Sequence, residues 1–201
     1  MTFEGDYFMC GIIGYAGGDV DPVQTLLTGL SKLVYRGYDS TGLAVANSNI
    51  HVVKREDDLD ALKRAVEEPF ELTGTAGIGH TRWSTHGKPS DDNAHPHTDC
   101  KDRVAVVHNG IIENYQSLRD ELRSVDHEFE RETDTEVVPH LISHHFKENL
   151  SPKLAFRRAV EELEGSYAIA AIFEDRDEVM VTRRDSSLVL GVDDGGDVRG
   201  E

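Results

Sequence analysis

Apolar positions fall into short runs that switch between strand and helix periodicity. Cys10 to Ala16 reads as a buried strand ended by Gly17-Gly18. Asp21 then offers an N-cap with Pro22 at the first helical position, and Val23, Leu26, Leu27, Leu30, Leu33 and Val34 recur at helical spacing until Gly37. Residues 35–42 form a polar loop bracketed by glycines. Leu43–Ala46 and Ile50–Val53 form a hairpin around Asn47-Ser48-Asn49, and a short helix over Asp57–Glu68 closes at Pro69.

Thr75–His80 rises as a strand into Thr81-Arg82-Trp83-Ser84-Thr85-His86-Gly87, and the polar run Lys88–Asp102 reads as a long surface loop. Arg103–His108 is a strand cut by Asn109-Gly110. Asn114 caps a helix with Tyr115, Leu118, Leu122 and Val125 on its apolar side. Thr133 and Glu136 have capping-box spacing ahead of Val137, Val138, Leu141 and Ile142, with Pro139 inside the first turns of that helix. Ser151-Pro152 opens a last helix, burying Phe156, Ala159, Val160 and Leu163 and stopping at Gly165. Strands follow at Tyr167–Phe173, Val179–Arg183 and Leu188–Val192, and residues 193–201 read as a fraying tail. Strands and helices come in clusters, without strict βα alternation. This predicts an α+β architecture with layered sheets and helices outside.

Length and composition narrow the class. The 201 residues suit one domain, and no apolar run approaches the 18–20 residues that span a bilayer. Residues 1–9 hold neither a basic stretch nor an apolar run of signal-peptide type, which points to a cytoplasmic protein. In such a compartment Cys10 and Cys100 stay reduced, and Cys100 sits in a polar loop with no assigned role. The formal charge of -17, from 38 acidic and 21 basic residues spread along the chain, disfavours nucleic-acid binding. It suits solubility at high salt, where counterions screen self-repulsion; a stability optimum at low ionic strength would contradict this.

Candidate chemistry gathers at strand ends. Cys10 supplies a thiol, and as a first residue it would also carry its own base, since an α-amine titrates near ~8. Asn109 and the Gly110 N–H can donate to an oxyanion. Arg82 can pair with a substrate carboxylate and Asp134 with an ammonium, or the two can pair with each other. Asn109-Gly110 also reads as a plain turn signal. His80, His86, His95, His97 and His108 lack a recognisable metal spacing, and no GxxxxGK[ST] loop is present, so no metal and no cofactor are expected.

Six blocks carry a family resemblance: residues 10–15, 35–40, 80–87, 93–97, 108–114 and 132–136. They run in order and resemble the glutaminase domain of isomerising glutamine:fructose-6-phosphate aminotransferases, within the class II amidotransferases. The resemblance implies an N-terminal-nucleophile hydrolase fold, a four-layer αββα sandwich over residues 10–192, with glutamine hydrolysed to glutamate and ammonia. It implies Cys10 as nucleophile with its α-amine as base, and Asn109 and Gly110 as the oxyanion hole. It also implies that Arg82, Thr85, His86 and Asp134 hold glutamine, that Trp83 belongs to a closing loop, and that Arg36 supports the nucleophile's surroundings. The implied partners are glutamine, a sugar-isomerase domain or subunit not contained in this chain, and a second copy in a homodimer.

The chain departs from that family in three respects, one being that the family's enzyme continues into two sugar-isomerase domains that this chain does not contain. Nine residues precede Cys10, and an acylated nitrogen is an amide that cannot act as a base. Initiation at Met9 with methionine removal, or autocatalytic loss of residues 1–9, is expected to expose it. Ser186-Ser187-Leu188-Val189 lacks the family's proline before the leucine. Two other readings remain open: a non-catalytic glutamine-binding regulatory subunit, and a glutaminase that feeds another acceptor.

Overall fold

The computed structural model describes residues 10–17, 20–37, 39–67, 72–83, 88–146 and 150–192. Its strands form two antiparallel sheets. The first has the order β1 (Gly11–Ala16), β4 (Ala76–Arg82), β2 (Ser40–Ala46), β3 (Ile50–Arg55). The second runs β5 (His97–Thr98), β6 (Val104–Ile112), β7 (Gly165–Phe173), β8 (Met180–Arg184).

Side-chain alternation along the strands makes each sheet two-faced. In β2, Leu43 and Val45 pack on the helices α1 (Pro22–Ser31) and α2 (Leu59–Val66), while Ala44 and Ala46 face the other sheet. In β6, Val104 and Val106 pack with α3 (Tyr115–Arg123), α4 (Val137–Phe146) and α5 (Pro152–Glu162), while Ala105 and Val107 face back across the sandwich. The same phase in β7 sends Ile169, Ala171 and Phe173 to the helices and Ala170 and Ile172 to the interlayer. Three apolar layers therefore separate helices, sheet, sheet and helices, which is the αββα sandwich. No described helix is long and apolar enough to cross a membrane.

Two helix starts follow the residues that precede them. Asp21 Oδ1 accepts the Val23 N–H at 2.9 Å with Pro22 next, and Ser151 Oγ accepts the Leu154 N–H at 3.4 Å with Pro152 next. Such caps stabilise a helix by roughly 1 kcal/mol each. Pro139 lies in the first turn of α4, where its missing N–H costs nothing.

Five expectations are corrected. Strand β6 is not cut at Asn109-Gly110 but runs through it to Ile112, because Gly110 takes φ 122° and stays paired with Tyr167. Part of the polar run Lys88–Asp102 is interior: Asn93 through His97 are buried, with Asn93 Oδ1 accepting the Glu132 N–H and one ring nitrogen each of His95 and His97 bonded to the Thr135 and Thr133 hydroxyls. The Thr133–Glu136 capping box does not form. A 3-10 turn, Asp134–Glu136, precedes α4, Thr133 Oγ1 bonds His97 Nε2 at 3.0 Å, and the Glu136 carboxylate accepts the N–H groups of Glu130 and Arg131. Asn114 stands at the start of α3 but bonds Glu162 and Glu164 instead of capping the helix. Leu188–Val192 is not a strand, and Val189 is 90% exposed, since nothing pairs beyond β8. The leader 1–9 and the tail 193–201 lie outside the described residues.

Candidate active site

The nucleophile candidate and the oxyanion donor come from different sheets. Cys10 immediately precedes β1, whose neighbour β4 ends in Arg82 and leads into Trp83. The next residue, Gly11, donates its N–H to Thr81 Oγ1 at 3.2 Å, and a Cβ on it would lie 2.7 Å from that oxygen and 2.8 Å from Leu33 Cβ. A side chain cannot stand beside this cysteine.

Cys10 is half-buried. Its sulfur accepts the Trp83 N–H at 3.1 Å and its thiol donates to the Trp83 carbonyl at 3.4 Å. Burial pushes the thiol's pKa up, while the Trp83 N–H and the Arg82 charge pull it down by less. A thiol held neutral in this way needs a base before it can attack a carbonyl.

The Cys10 carbonyl is held from two sides. Arg36, on the 3-10 turn Val34–Arg36, donates Nε–H to it at 3.3 Å, and Asn109 donates Nδ2–H to it at 2.7 Å. Asn109 is oriented from behind. His80 Nε2 lies 3.0 Å from Asn109 Oδ1 and 3.1 Å from the His108 carbonyl, two acceptors, so that nitrogen carries the proton and donates. Burial lowers the His80 pKa to about 3, hydrogen bonds to Asn109 and His108 opposing it, so the ring stays neutral. The Asn109 amide therefore points its NH2 at the cysteine. Gly110 follows with φ 122°, and a Cβ there would sit 2.0 Å from the Ser166 carbonyl oxygen, so only glycine fits.

Arg82 is 3% exposed at the end of β4. Burial lowers its pKa, and Cys10, Asp39 and Asp134 act in the opposite direction, which places its charge among those three groups. Asp134, 6% exposed, receives the Ile112 N–H on Oδ2 at 2.8 Å. The structure thus brings together Cys10, Arg36, Arg82, Trp83, Asn109, Gly110 and Asp134. Thr85 and His86 lie outside the described residues.

Sequence reasoning passed over the polar layer beneath this site. Thr135 Oγ1 stands 2.9 Å from His95 Nε2 and 2.8 Å from His108 Nδ1, and the His80 and His95 rings stack with centroids 4.1 Å apart. His80, His95 and His108 lie in three of the recognised blocks, where their spacing speaks only against a metal; each bonds hydroxyl, carbonyl or amide groups instead.

The family model described as a glutamine amidotransferase domain matches residues 80–196. The chain belongs to this family. Among curated relatives, the isomerizing glutamine–fructose-6-phosphate aminotransferase of Halobacterium salinarum is 52% identical over 190 residues, covering 94% of this chain and 30% of its own length. The same enzyme of Thermosynechococcus vestitus is 50% identical over 192 residues, 93% of this chain and 30% of its length. The chain thus spans about a third of the curated relatives it matches. A glutamine phosphoribosylpyrophosphate amidotransferase from B. subtilis, complexed with ADP and GMP, superposes with a TM-score of 0.68 at 22% identity, covering 87% of this chain and 36% of that one. That likeness carries the N-terminal-nucleophile fold.

Proposed function

We propose that this chain is the glutaminase unit of an isomerizing glutamine–fructose-6-phosphate aminotransferase, and that Cys10 is its nucleophile. The observation that carries the reading is the meeting of Cys10, at the start of β1, with the Asn109 amide from the opposite sheet at 2.7 Å. In the active form residues 1–9 are absent and the Cys10 α-amine is free. It takes the thiol proton as Sγ attacks the side-chain amide carbon of glutamine. Negative charge then develops on the amide oxygen, where Asn109 Nδ2–H and the Gly110 N–H donate. The amine returns the proton to the leaving nitrogen, ammonia departs, and water hydrolyses the γ-glutamyl thioester to glutamate.

Glutamine is held at its α-carbon, with Arg82 on the carboxylate, Asp134 on the ammonium, and Thr85, His86 and Trp83 completing the pocket. Arg36 keeps the first peptide of the nucleophile in place. Ammonia passes to a sugar-isomerase unit that aminates fructose 6-phosphate, as the names of the relatives say of those enzymes. The test is glutamate release from glutamine by chain processed to begin at Cys10. Turnover should disappear in Cys10→Ala, and undiminished hydrolysis by that variant overturns the assignment.

A further inference from the structure

Away from the Cys10 site, three soft donors from separate elements converge. Cys100 lies in the turn between β5 and β6. His127 follows α3, and His140 lies on α4. Both histidines are buried and the cysteine is exposed. His140 Nδ1 lies 3.3 Å from His127 Nδ1 and 3.4 Å from Cys100 Sγ, and all three donor atoms fall within 4.8 Å of one another.

We propose that Cys100, His127 and His140 form a zinc site. Tetrahedral Zn²⁺, with bonds of ~2.0–2.1 Å to nitrogen and ~2.3 Å to sulfur, separates two nitrogens by about 3.3 Å and a nitrogen from a sulfur by about 3.5 Å. The observed separations around His140 Nδ1, 3.3 and 3.4 Å, match those values. The third side, Cys100 Sγ to His127 Nδ1, lies within the same 4.8 Å, and Cys100 is exposed, so its side chain is the one that would move to close it. Three protein donors leave the fourth tetrahedral position to a water.

The surroundings prepare the donors. The turn bearing Cys100 is fixed by Asp99, whose Oδ1 accepts the Arg103 and Val104 N–H groups at 2.7 and 3.2 Å and whose Oδ2 accepts the Ser143 hydroxyl of α4 at 2.7 Å. His127 is tied to the end of α3 through its N–H to the Leu122 carbonyl at 3.1 Å. On His140 the other ring nitrogen, Nε2, faces Glu136 Oε1 at 4.0 Å, the side from which a carboxylate favours a proton on Nε2 and a lone pair on Nδ1. Burial lowers the His140 pKa to about 4, so the imidazole is neutral and able to ligate at pH 7. On binding, Cys100 loses its thiol proton to solvent, both imidazoles coordinate as neutral rings, and affinity rises with pH. Sulfur with two imidazoles favours zinc over magnesium or calcium, which take oxygen donors. The metal would tie the β5–β6 turn and the segment after α3 to α4, the helix that begins directly after Asp134–Glu136.

Zn²⁺ is titrated into the full chain carrying Cys10→Ala, so that Cys100 is the sole thiol, against a chromophoric chelator. One zinc per chain is expected, with a raised unfolding temperature and, on Co²⁺ substitution, a sulfur-to-cobalt charge-transfer band. Cys100→Ser, at an exposed position that leaves the fold intact by circular dichroism, should weaken affinity at least tenfold and abolish the band. In a separate measurement zinc should protect Cys100 of the unaltered chain from iodoacetamide. Absence of stoichiometric zinc, equal affinity in Cys100→Ser, or alkylation of Cys100 at the same rate with and without zinc each overturns the site and leaves a hydrogen-bonded thiol–imidazole pair in its place.

Discussion

Lowering the pH should unfold this protein well above the range in which most carboxylates titrate. His80, His95, His97 and His140 are all buried, and burial drives each pKa down: to about 3 for His80, to about 4 for His140, and well below the ordinary 6.5 for the other two. Like charges add to this: Arg82 acts on His80, His95 and His97, and Lys54 and Arg131 also act on His97. Below pH 6.5 the unfolded chain binds protons that the folded chain refuses, so stability falls as pH falls. At pH 5.5 an unfolded histidine of pKa ~6.5 gains about 1.4 kcal/mol over a folded one that stays neutral, and four together give about 6 kcal/mol. That is comparable to the whole stability of a typical domain, ~5–15 kcal/mol. Glu136 opposes the trend, since burial raises its pKa and protonation favours the folded form, but it is one group against four. Urea unfolding followed by circular dichroism at pH 8, 6.5, 6 and 5.5 reads the effect. A chelator excludes metal, and about 1 M salt shortens the Debye length to ~3 Å, so the changing net charge contributes little. A loss of at least about 3 kcal/mol between pH 8 and 5.5 is expected. A flat profile over that interval would refute the neutral buried histidines.

Two further predictions concern the Asn109 side of the site. His80→Leu removes the donor that orients the Asn109 amide and should lower kcat for glutamine hydrolysis about 10–100-fold with little change in KM, given that one oxyanion donor is worth roughly 10²–10³. His80→Gln, which can donate to the same oxygen, should recover part of the loss; an unchanged kcat in a folded His80→Leu variant would remove His80 from this role. Gly110→Ala sets a Cβ 2.0 Å from the backbone of β7 at φ 122°. Strain of ~1–3 kcal/mol plus the clash should lower Tm by roughly 5–10 °C and abolish turnover, and wild-type behaviour in differential scanning calorimetry would show that the strand has room to shift.

Much of the framework was legible because it rests on local rules. Asp21-Pro22 and Ser151-Pro152 mark helix starts by side-chain reach alone, and the two-residue alternation of β2, β6 and β7 separates helix-facing from interlayer positions. Most of the misreadings share one cause, a local signal lost to a distant partner; Leu188–Val192 differs, since among the described residues no strand stands beyond β8 to pair with it. Asn-Gly is a turn dipeptide, but β7 pairs across it and keeps β6 straight. Thr133 has the spacing to cap a helix, but His97, 36 residues away, takes its hydroxyl. The polar stretch around His95 looks exposed until Thr135 and Thr133 are seen to bond Nε2 of His95 and His97. The candidate residues Cys10, Arg82, Asn109, Gly110 and Asp134 stand out at strand ends, and Arg36, Trp83, Thr85 and His86 follow from the recognised blocks, whereas the Cys100–His127–His140 cluster spans three blockless segments, and no spacing along the chain announces it.

Alanines and β-branched residues share the layer between the two sheets: Ala44, Ala46, Ala76, Ile50 and Ile78 from one side meet Ala105, Ala170, Val107 and Ile172 from the other. Cys10 immediately precedes the first sheet and Asn109 lies in the second, so under the proposed function this filling acts as a spacer gauge for the gap in which glutamine would react. Facing sheets stand ~10 Å apart, and a misplacement of ~1 Å between reacting groups can cost about a hundredfold in rate. On that reading, a methyl group added in that layer changes the clearance between Cys10 and Asn109. Under the proposed function, the tolerance of this gap is thus set by the thickness of an apolar layer outside the pocket.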